Sequence, residues 1–482
     1  MFAVIETYWA ETLAVLSVVF GTAAAIHAAM TKREVRSALG WVGVIILSPL
    51  VGALIYAVVG INRIRRKSLI SRRALALDEI WRSLSQFAIS REQVIAEFGP
   101  RFGQMKLLGD RVTRHPLSSG NSITLLATGE ETFDAMCAAI DGAVCSVILE
   151  TYIFDRDAVG LRVADCLIAA HRRGVSVRVL VDAVGARYSV PSIIGYLEDG
   201  GVPVASFNGQ VIMGLRLPYA NLRTHRKILV VDGAVAFVGG MNIRAGFTGP
   251  EAARDTHFRV TGPVVADILA VAAEDWHFET NEVLLSPDWS IRLEGATLGE
   301  GTAVRAVVSG PDAHLETNHR LLMGAFSVAE RTIRIVSPYF LPDNTFLAAL
   351  NTAARRGVQV EIVIPAKNNL AIVARAMIAQ FDQVLREGCR IYMADGPFDH
   401  SKLLVVDEQW CFIGSSNLDS RSLRLNFEID LEVYDPDLAD RIGQRINLTL
   451  QTATELTTDV LKARPFWLRF TDRLFWLGSP YL

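Results

Sequence analysis

Hydrophobic residues are distributed along this chain in two regimes. Near the N-terminus, 20 residues between Glu11 and Lys32 and 26 between Arg36 and Arg63 carry no Asp, Glu, Lys or Arg. A helix rises about 1.5 Å per residue, so roughly 20 apolar residues span the hydrocarbon core of a bilayer. Only residues 32–36 separate the two runs, which predicts a transmembrane hairpin over residues 1–62, with helices at about 12–31 and 38–61. Pro49 and Gly52 fall in the second run and are compatible with a membrane helix. A cleaved signal peptide is not expected, because the first eleven residues hold Glu6 and Glu11 and no basic residue.

Beyond the hairpin the pattern changes to short β-rich runs alternating with helix-period stretches. Val144 to Ile153 reads as a strand, a helix-like segment ends at Arg172-Arg173-Gly174, and Val175 to Val181 reads as the next strand. The same order returns as a strand from Ile333 to Tyr339, a helix ending at Arg355-Arg356-Gly357, and a strand from Val358 to Ile364. Tyr152 and Tyr339, Gly174 and Gly357, and His225 and His400 correspond at offsets of 187, 183 and 175 residues. This spacing predicts an α/β protein with a duplicated domain, and strand-helix-strand order predicts a mainly parallel sheet with right-handed crossovers. The domains are expected at 119–300 and 301–482. Residues 63–118 are expected to form a basic juxtamembrane linker, since Asn62 to His115 hold 12 Lys/Arg against 5 Asp/Glu.

Composition adds limits. Half of the 482 residues are hydrophobic, which suits a membrane protein, and the net charge of −3 gives no basic nucleic-acid signature. The five cysteines stand in apolar surroundings without a CxxC and read as buried thiols. The nine histidines show no metal-ligand spacing, so neither metal nor cofactor is expected.

The chemistry concentrates in a repeated motif. His225, Lys227 and Asp232 are followed by Gly239-Gly240-Met241-Asn242, and His400, Lys402 and Asp407 by Gly414-Ser415-Ser416-Asn417, with matched intervals. In a strand, residues i and i+2 share a face, so each His and Lys would reach the same ligand. Imidazole can attack phosphorus, Lys can hold phosphate oxygens, and Asn242 and Asn417 can add neutral donors for phosphate. Two such half-sites suit a phosphohistidine mechanism in which one His attacks and the other serves as acid and base. Each His needs an acceptor to hold its second ring nitrogen. Asp255, 30 residues after His225, and Glu428, 28 after His400, are the candidates. Asp232 and Asp407 count as candidate catalytic residues, with a structural role at a turn as the alternative. His257 reads as structural or near the site, and His27 receives no role.

At these residues the chain resembles the phospholipase D superfamily and, within it, the bacterial cardiolipin synthases. The resemblance rests on Thr224-His225-Arg226-Lys227, Asp399-His400-Ser401-Lys402, Arg254-Asp255-Thr256-His257, Asn426-Phe427-Glu428 and the run Trp41 to Gly60. It implies two duplicated α/β sandwich domains with pseudo-twofold symmetry behind the hairpin. It also implies one site between them, where two phosphatidylglycerols give cardiolipin and glycerol, with His225 attacking and His400 acting as acid and base. A phospholipase D hydrolase is the alternative. The expected partners are phosphatidylglycerol and the lipid bilayer, with no nucleic acid and oligomerisation left open. The expected location is the bacterial inner membrane, multi-pass, with the catalytic domains on the cytoplasmic side. Ala253 replaces a Trp, and Arg244-Ala245-Gly246-Phe247 replaces an acidic, Tyr-containing stretch, changes that bear on head-group preference. At the C-terminus Phe466, Phe470, Leu474 and Leu477 recur at helical spacing among Arg464, Arg469 and Arg473. This suits either an interfacial helix or a tail packed on the catalytic body.

Overall fold

The computed structural model describes residues 2–32, 35–61, 84–208, 222–293, 296–311 and 314–479. Two compact units emerge, one containing the N-terminal apolar segment and the other the α/β body.

In the first unit, α1 (Phe2–Thr31) is a continuous helix whose segment Tyr8–Thr31 is long and apolar enough to cross a membrane. The second run departs from the expected single helix over 38–61. It forms α2 (Val35–Leu47), α3 (Pro49–Ile55) and a π-helical turn, Tyr56–Gly60. Pro49 supplies no N–H and displaces Ser48 from helical geometry (φ −146°, ψ 80°), so the helix breaks there. The bend is tight: a Cβ on Gly52 would lie 2.6 Å from the Val44 carbonyl, and one on Gly21 2.8 Å from Pro49 Cβ. Ala28, Ile45 and Tyr56 form the small core of this unit, and Tyr56 Oη lies 2.8 Å from His27 Nδ1. His27 thus ties α1 to the bent segment.

The body contains two copies of one seven-stranded pattern. In the first, β1 (Ser118–Leu126), β2 (Ser146–Thr151), β3 (Ser176–Asp182), β4 (Val204–Phe207), β5 (Ile228–Val231), β6 (Val235–Gly239) and β7 (His257–Thr261) are ordered β4-β3-β2-β5-β6-β7-β1. In the second, β8 (Thr302–Ser309), β9 (Thr332–Val336), β10 (Gln359–Pro365), β11 (Arg390–Ala394), β12 (Leu403–Val406), β13 (Trp410–Gly414) and β14 (Asn426–Tyr434) run β11-β10-β9-β12-β13-β14-β8. The duplication therefore holds for all seven strands, and the second copy adds an edge strand, Thr454–Leu456, antiparallel to β11. β1 and β8 pair antiparallel, with Ser118 opposite Val304, and make the two sheets continuous.

The sheet is mixed rather than mainly parallel. The helix-joined strands β2-β3-β4 and β9-β10-β11 are parallel, whereas the other neighbouring pairs among these fourteen strands are antiparallel. The motif-bearing β5-β6 and β12-β13 are antiparallel hairpins. Their turns place Asp232 and Gly233, and Asp407 and Glu408, at φ between 52° and 60°. Both central residues with φ > 0 define the type I′ turn that suits strand twist. Strands such as β2 are buried along their whole length, because helices cover both faces.

The expected linker 63–118 is corrected in part. Residues 62–83, with most of the basic collar, lie outside the described residues. Residues 91–112 form α4 (Arg91–Phe98) and α5 (Pro100–Val112), which belong to the second domain's core. Phe98 and Phe102 pack edge-on against Tyr434, with ring centroids 5.4 and 6.0 Å apart. Arg101 pairs with Asp407, and Arg305 Nη2 with Asp110 at 2.8 Å. The basic residues that suggested a collar are thus partly used in internal ion pairs.

Truncating the buried Phe102 to Ala should cost about 3–5 kcal/mol, through lost burial plus the cavity left behind. Thermal unfolding of the detergent-solubilised full chain would test this, and an unchanged midpoint would show that residues 91–112 are a detachable linker after all.

Candidate active site

The site forms where the duplicated motifs meet. Residues 223–224 pair in parallel with 426–427, and Arg254 bridges to Asp399, so each motif is laid against a segment of the other half. The His225 N–H donates to the Phe427 carbonyl at 2.9 Å, and the His400 N–H donates to the Arg254 carbonyl at 2.7 Å. These bonds fix the backbone of each histidine from across the pseudo-twofold.

The carboxylates cross in the same way. His225 Nδ1 lies 2.9 Å from Glu428 Oε2, and His400 Nδ1 lies 2.8 Å from Asp255 Oδ2. Sequence intervals associate Asp255 with His225 and Glu428 with His400. The structure retains all four residues and exchanges the partners. Each carboxylate is itself held: Glu428 accepts from Ser415 Oγ at 2.6 Å and from Asn426 Nδ2 at 3.2 Å, and Asp255 accepts from the Thr256 N–H at 2.7 Å. With Nδ1–H donating to a carboxylate, Nε2 is the nitrogen left for chemistry.

Lys227 and Lys402 are buried beside the histidines, as the i, i+2 spacing requires. Lys227 Nζ donates to the His225 carbonyl at 2.5 Å, and Lys402 Nζ donates to the His400 carbonyl. Lys402 Nζ also lies 3.0 Å from His400 Nδ1. Burial brings Lys227 down to about 7 and Lys402 to about 8, against the pull of Glu428 and Asp255. Burial likewise lowers His225, and burial with the Lys402 charge takes His400 to about 4. Burial acting alone would raise Asp255, but Lys402 and His400 outweigh it and hold Asp255 at about 2. Glu428 is lowered in the same way: His225, Lys227 and Ser415 overcome its burial. The cluster thus combines neutral imidazoles, ionised carboxylates and two lysines poised near neutrality.

The remaining candidates divide. Asn242 and Asn417 are both buried, on the turns that follow β6 and β13. Asn242 Oδ1 accepts from the Ile153 N–H at 3.2 Å, whereas Asn417 Oδ1 has no partner among the described residues. Phe247, in the divergent stretch, brings its ring to 6.1 Å from His400, and Arg244 pairs with Asp155 at 3.1 Å.

Relatives carry the same architecture across the chain. Residues 136–274 and 322–448 match the family described as cardiolipin synthase, PLD-like domain, and residues 19–60 match a phospholipase D-nuclease N-terminal family. The cardiolipin synthase of Alkalihalophilus pseudofirmus is 32% identical over 459 residues, spanning 94% of this chain and 90% of that protein. Cardiolipin synthase A of Pseudomonas putida is 33% identical over 451 residues, 91% of each chain. This chain belongs to the cardiolipin synthase family of phospholipase D-like proteins. The fold alone extends further: a phosphatidylserine synthase from Haemophilus influenzae superposes with a TM-score of 0.59 at 16% identity, covering 79% of this chain and all of that one.

Within this cardiolipin synthase-family site, the motif aspartates are a correction. Asp232 and Asp407 lie at the hairpin turns, at the far ends of β5 and β12 from the histidines. Asp232 accepts from the N–H groups of Val144, Cys145 and Ser146 at 2.7–3.2 Å. Asp407 accepts from those of Glu330, Arg331 and Thr332 at 2.8–2.9 Å, and from Arg101. They tie each motif hairpin to the loop that enters the neighbouring parallel strand, and they do not reach the reacting groups.

The sequence reading missed Arg226. Residue i+1 faces away from His225 and Lys227, and Arg226 is buried there against Asp275, with Thr224 on Glu150 beside it. An arginine directly before an apolar strand run was the available signal, since its burial demands a carboxylate.

Removing the Asp407 carboxylate leaves three N–H groups and Arg101 without their acceptor, at a cost of about 2–4 kcal/mol. Asp407→Ala should therefore lower the unfolding midpoint in detergent while the folded fraction keeps its turnover. Loss of turnover at full stability would restore Asp407 to the catalytic set.

Proposed function

We propose that this protein is a membrane-bound phosphatidyltransferase that converts two phosphatidylglycerols into cardiolipin and glycerol through a phosphohistidine. The observation that carries this reading is the crossed pair of His–carboxylate contacts flanked by two buried lysines. The membership of the cardiolipin synthase family supplies the lipid class.

In this scheme Nε2 of one histidine, His225 by resemblance, attacks the phosphorus of the first phosphatidylglycerol. The P–N bond forms as the P–O bond to glycerol breaks. His400, held as the imidazolium by the Asp255 carboxylate on its Nδ1 once the anionic phosphodiester is bound, gives its Nε2 proton to the departing glycerol oxygen. The headgroup hydroxyl of a second phosphatidylglycerol then yields its proton to His400 Nε2, and its oxygen attacks phosphorus. The P–N bond breaks and cardiolipin is released. Lys227, Lys402, Asn242 and Asn417 hold the phosphate oxygens, and charge development on each imidazole is stabilised by the carboxylate on its Nδ1. A hydrolase reading uses the same residues with water as the second nucleophile. We place the protein in the bacterial inner membrane through its N-terminal apolar hairpin, α1 and the bent α2–α3 segment, with the body on the cytoplasmic side. The basic residues after the hairpin support that orientation.

The decisive assay uses labelled phosphatidylglycerol with the full chain in detergent micelles. Wild type should give cardiolipin and glycerol, and His225→Ala and His400→Ala should each lose more than about 10³-fold, the loss expected for an essential nucleophile or acid. Phosphatidic acid in place of cardiolipin would assign the protein to the hydrolases.

The site also predicts a pH profile. His400 is neutral above about 4, whereas Lys227 and Lys402 are cationic only below about 7 and 8. kcat/KM, which reports the free enzyme, should therefore be highest at acidic pH and fall toward alkaline pH, as His400 loses the proton it donates above about 4 and the lysines lose theirs above about 7 and 8. Because bound phosphate favours the ammonium form, the alkaline limb of kcat should lie higher than that of kcat/KM. A kcat/KM that rises through pH 8 would contradict the lysine assignment.

A further inference from the structure

The C-terminal helix Phe466–Leu477 docks on the body by one face only. Toward the helix Ala371–Leu385 it presents Thr471, which accepts from Arg375 Nη1 at 2.8 Å. On that side it also presents the buried Asp472, which pairs with Arg464 at 2.6 Å and Arg375 at 3.8 Å, and Phe475 packs against the core. Its other face is an apolar stripe exposed among the described residues. Phe466, Phe470, Leu474 and Leu477 recur at i, i+4, i+8 and i+11, with Phe466 64%, Trp467 71% and Leu477 70% exposed. The only acid in the helix is the buried, paired Asp472, so the charges it shows to solvent are those of Arg469 and Arg473. Arg473 lies over the Trp476 ring at 5.4 Å.

Two further exposed apolar side chains stand at the start of the helix on which Phe466–Leu477 packs. Leu370 and Ile372, at the start of the partner helix, are each about half exposed. The preceding residue, Asn369, accepts a 2.7 Å hydrogen bond from Tyr339, whose ring lies 6.3 Å from His400. One short segment therefore links the exposed apolar side chains to the edge of the histidine pair.

We propose that helix Phe466–Leu477, together with Leu370 and Ile372, is the surface by which the catalytic body lies on an anionic bilayer and draws lipid headgroups toward His225 and His400. Aromatic residues and arginines around an apolar stripe fit the headgroup boundary, where rings and alkyl side chains enter the acyl edge and the cations meet lipid phosphate. The occupant is a lipid surface because the charges that this helix shows to solvent are cations alone. The inference rests on the lipid substrate proposed above and adds the route by which that substrate arrives.

The test uses the full chain in phosphatidylcholine vesicles. The variant Phe466→Ser/Trp467→Ser/Phe470→Ser/Leu474→Ser is compared with wild type on two substrates. One is long-chain phosphatidylglycerol in the bilayer, and the other is a short-chain phosphatidylglycerol dissolved below its micellar concentration. Cardiolipin formation from the bilayer substrate should fall by about tenfold or more, as expected when several interfacial side chains are lost, with the dissolved substrate turned over as by wild type. Equal loss on both substrates, or no loss on either, would overturn the proposal. So would a change of oligomeric size in the variant, which would assign the stripe to a second copy of the chain. Arg469→Glu/Arg473→Glu, which gives up the bond from Arg469 to the Lys462 carbonyl and the contact of Arg473 with Trp476 but keeps Thr471, Asp472 and Phe475 in place, should give the same selective loss. Quenching by phosphatidylglycerol with brominated acyl chains reads the surface without turnover: Trp467→Phe should remove part of the quenchable emission, and an unchanged quenchable fraction would overturn the proposal. If wild type makes no cardiolipin while Trp467 is quenched, the transferase reading falls and the lipid surface stands.

Discussion

The crossed contacts His225–Glu428 and His400–Asp255 are the constraint on which the rest of the body depends. Two lysines and two imidazoles are removed from water within one cluster, and their charges are tolerable only with carboxylates at hydrogen-bond distance. Each carboxylate comes from the opposite copy of the duplicated domain. Neither copy alone holds a complete site, so the antiparallel joint between β1 and β8 and the parallel pairing of residues 223–224 with 426–427 have a chemical purpose as well as a structural one. Separation of the halves would leave each histidine without the carboxylate on its Nδ1.

The pseudo-symmetry is strict in strand order and relaxed in chemistry. Lys402 touches His400 Nδ1, whereas Lys227 bonds a carbonyl and lies over the Tyr152 ring at 5.5 Å. His257 and Asp430 occupy equivalent positions on β7 and β14. His257 is buried with neither ring nitrogen partnered among the described residues, while Asp430 accepts from Ser416 and is pushed up to about 7 by burial. Such differences divide a twofold frame into two unequal half-sites, as the proposed reaction, with one histidine as nucleophile and the other as acid, requires.

The lipid-facing features follow one logic. A single long helix, α1, satisfies its own backbone over a membrane's thickness, and the bent α2–α3 segment folds back on it through Gly21, Gly52 and Tyr56. In the catalytic body, α4 and α5 bury Phe98 and Phe102 in the second domain's core, so the body extends toward the N-terminus to at least residue 91.

The sequence by itself determined the duplication, the chemistry and the apolar N-terminal segment. Period-2 runs, repeated Arg-Arg-Gly helix ends and the doubled His-x-Lys spacing are local properties, set within a few residues by backbone geometry and side-chain type. The four residues His225, His400, Asp255 and Glu428 were legible for the same reason. What only the tertiary structure decided was who meets whom. Interval counting keeps each carboxylate with the histidine of its own half, but residues 203 and 145 positions apart are brought together by two sheets joining edge to edge. The same holds for Asp232 and Asp407: a motif places them near the histidine in sequence, while four residues of extended strand carry them away to backbone amides. The broken second apolar helix and the packing of residues 91–112 were hidden because composition records hydrophobicity and charge, not which partner a bend or an ion pair will find.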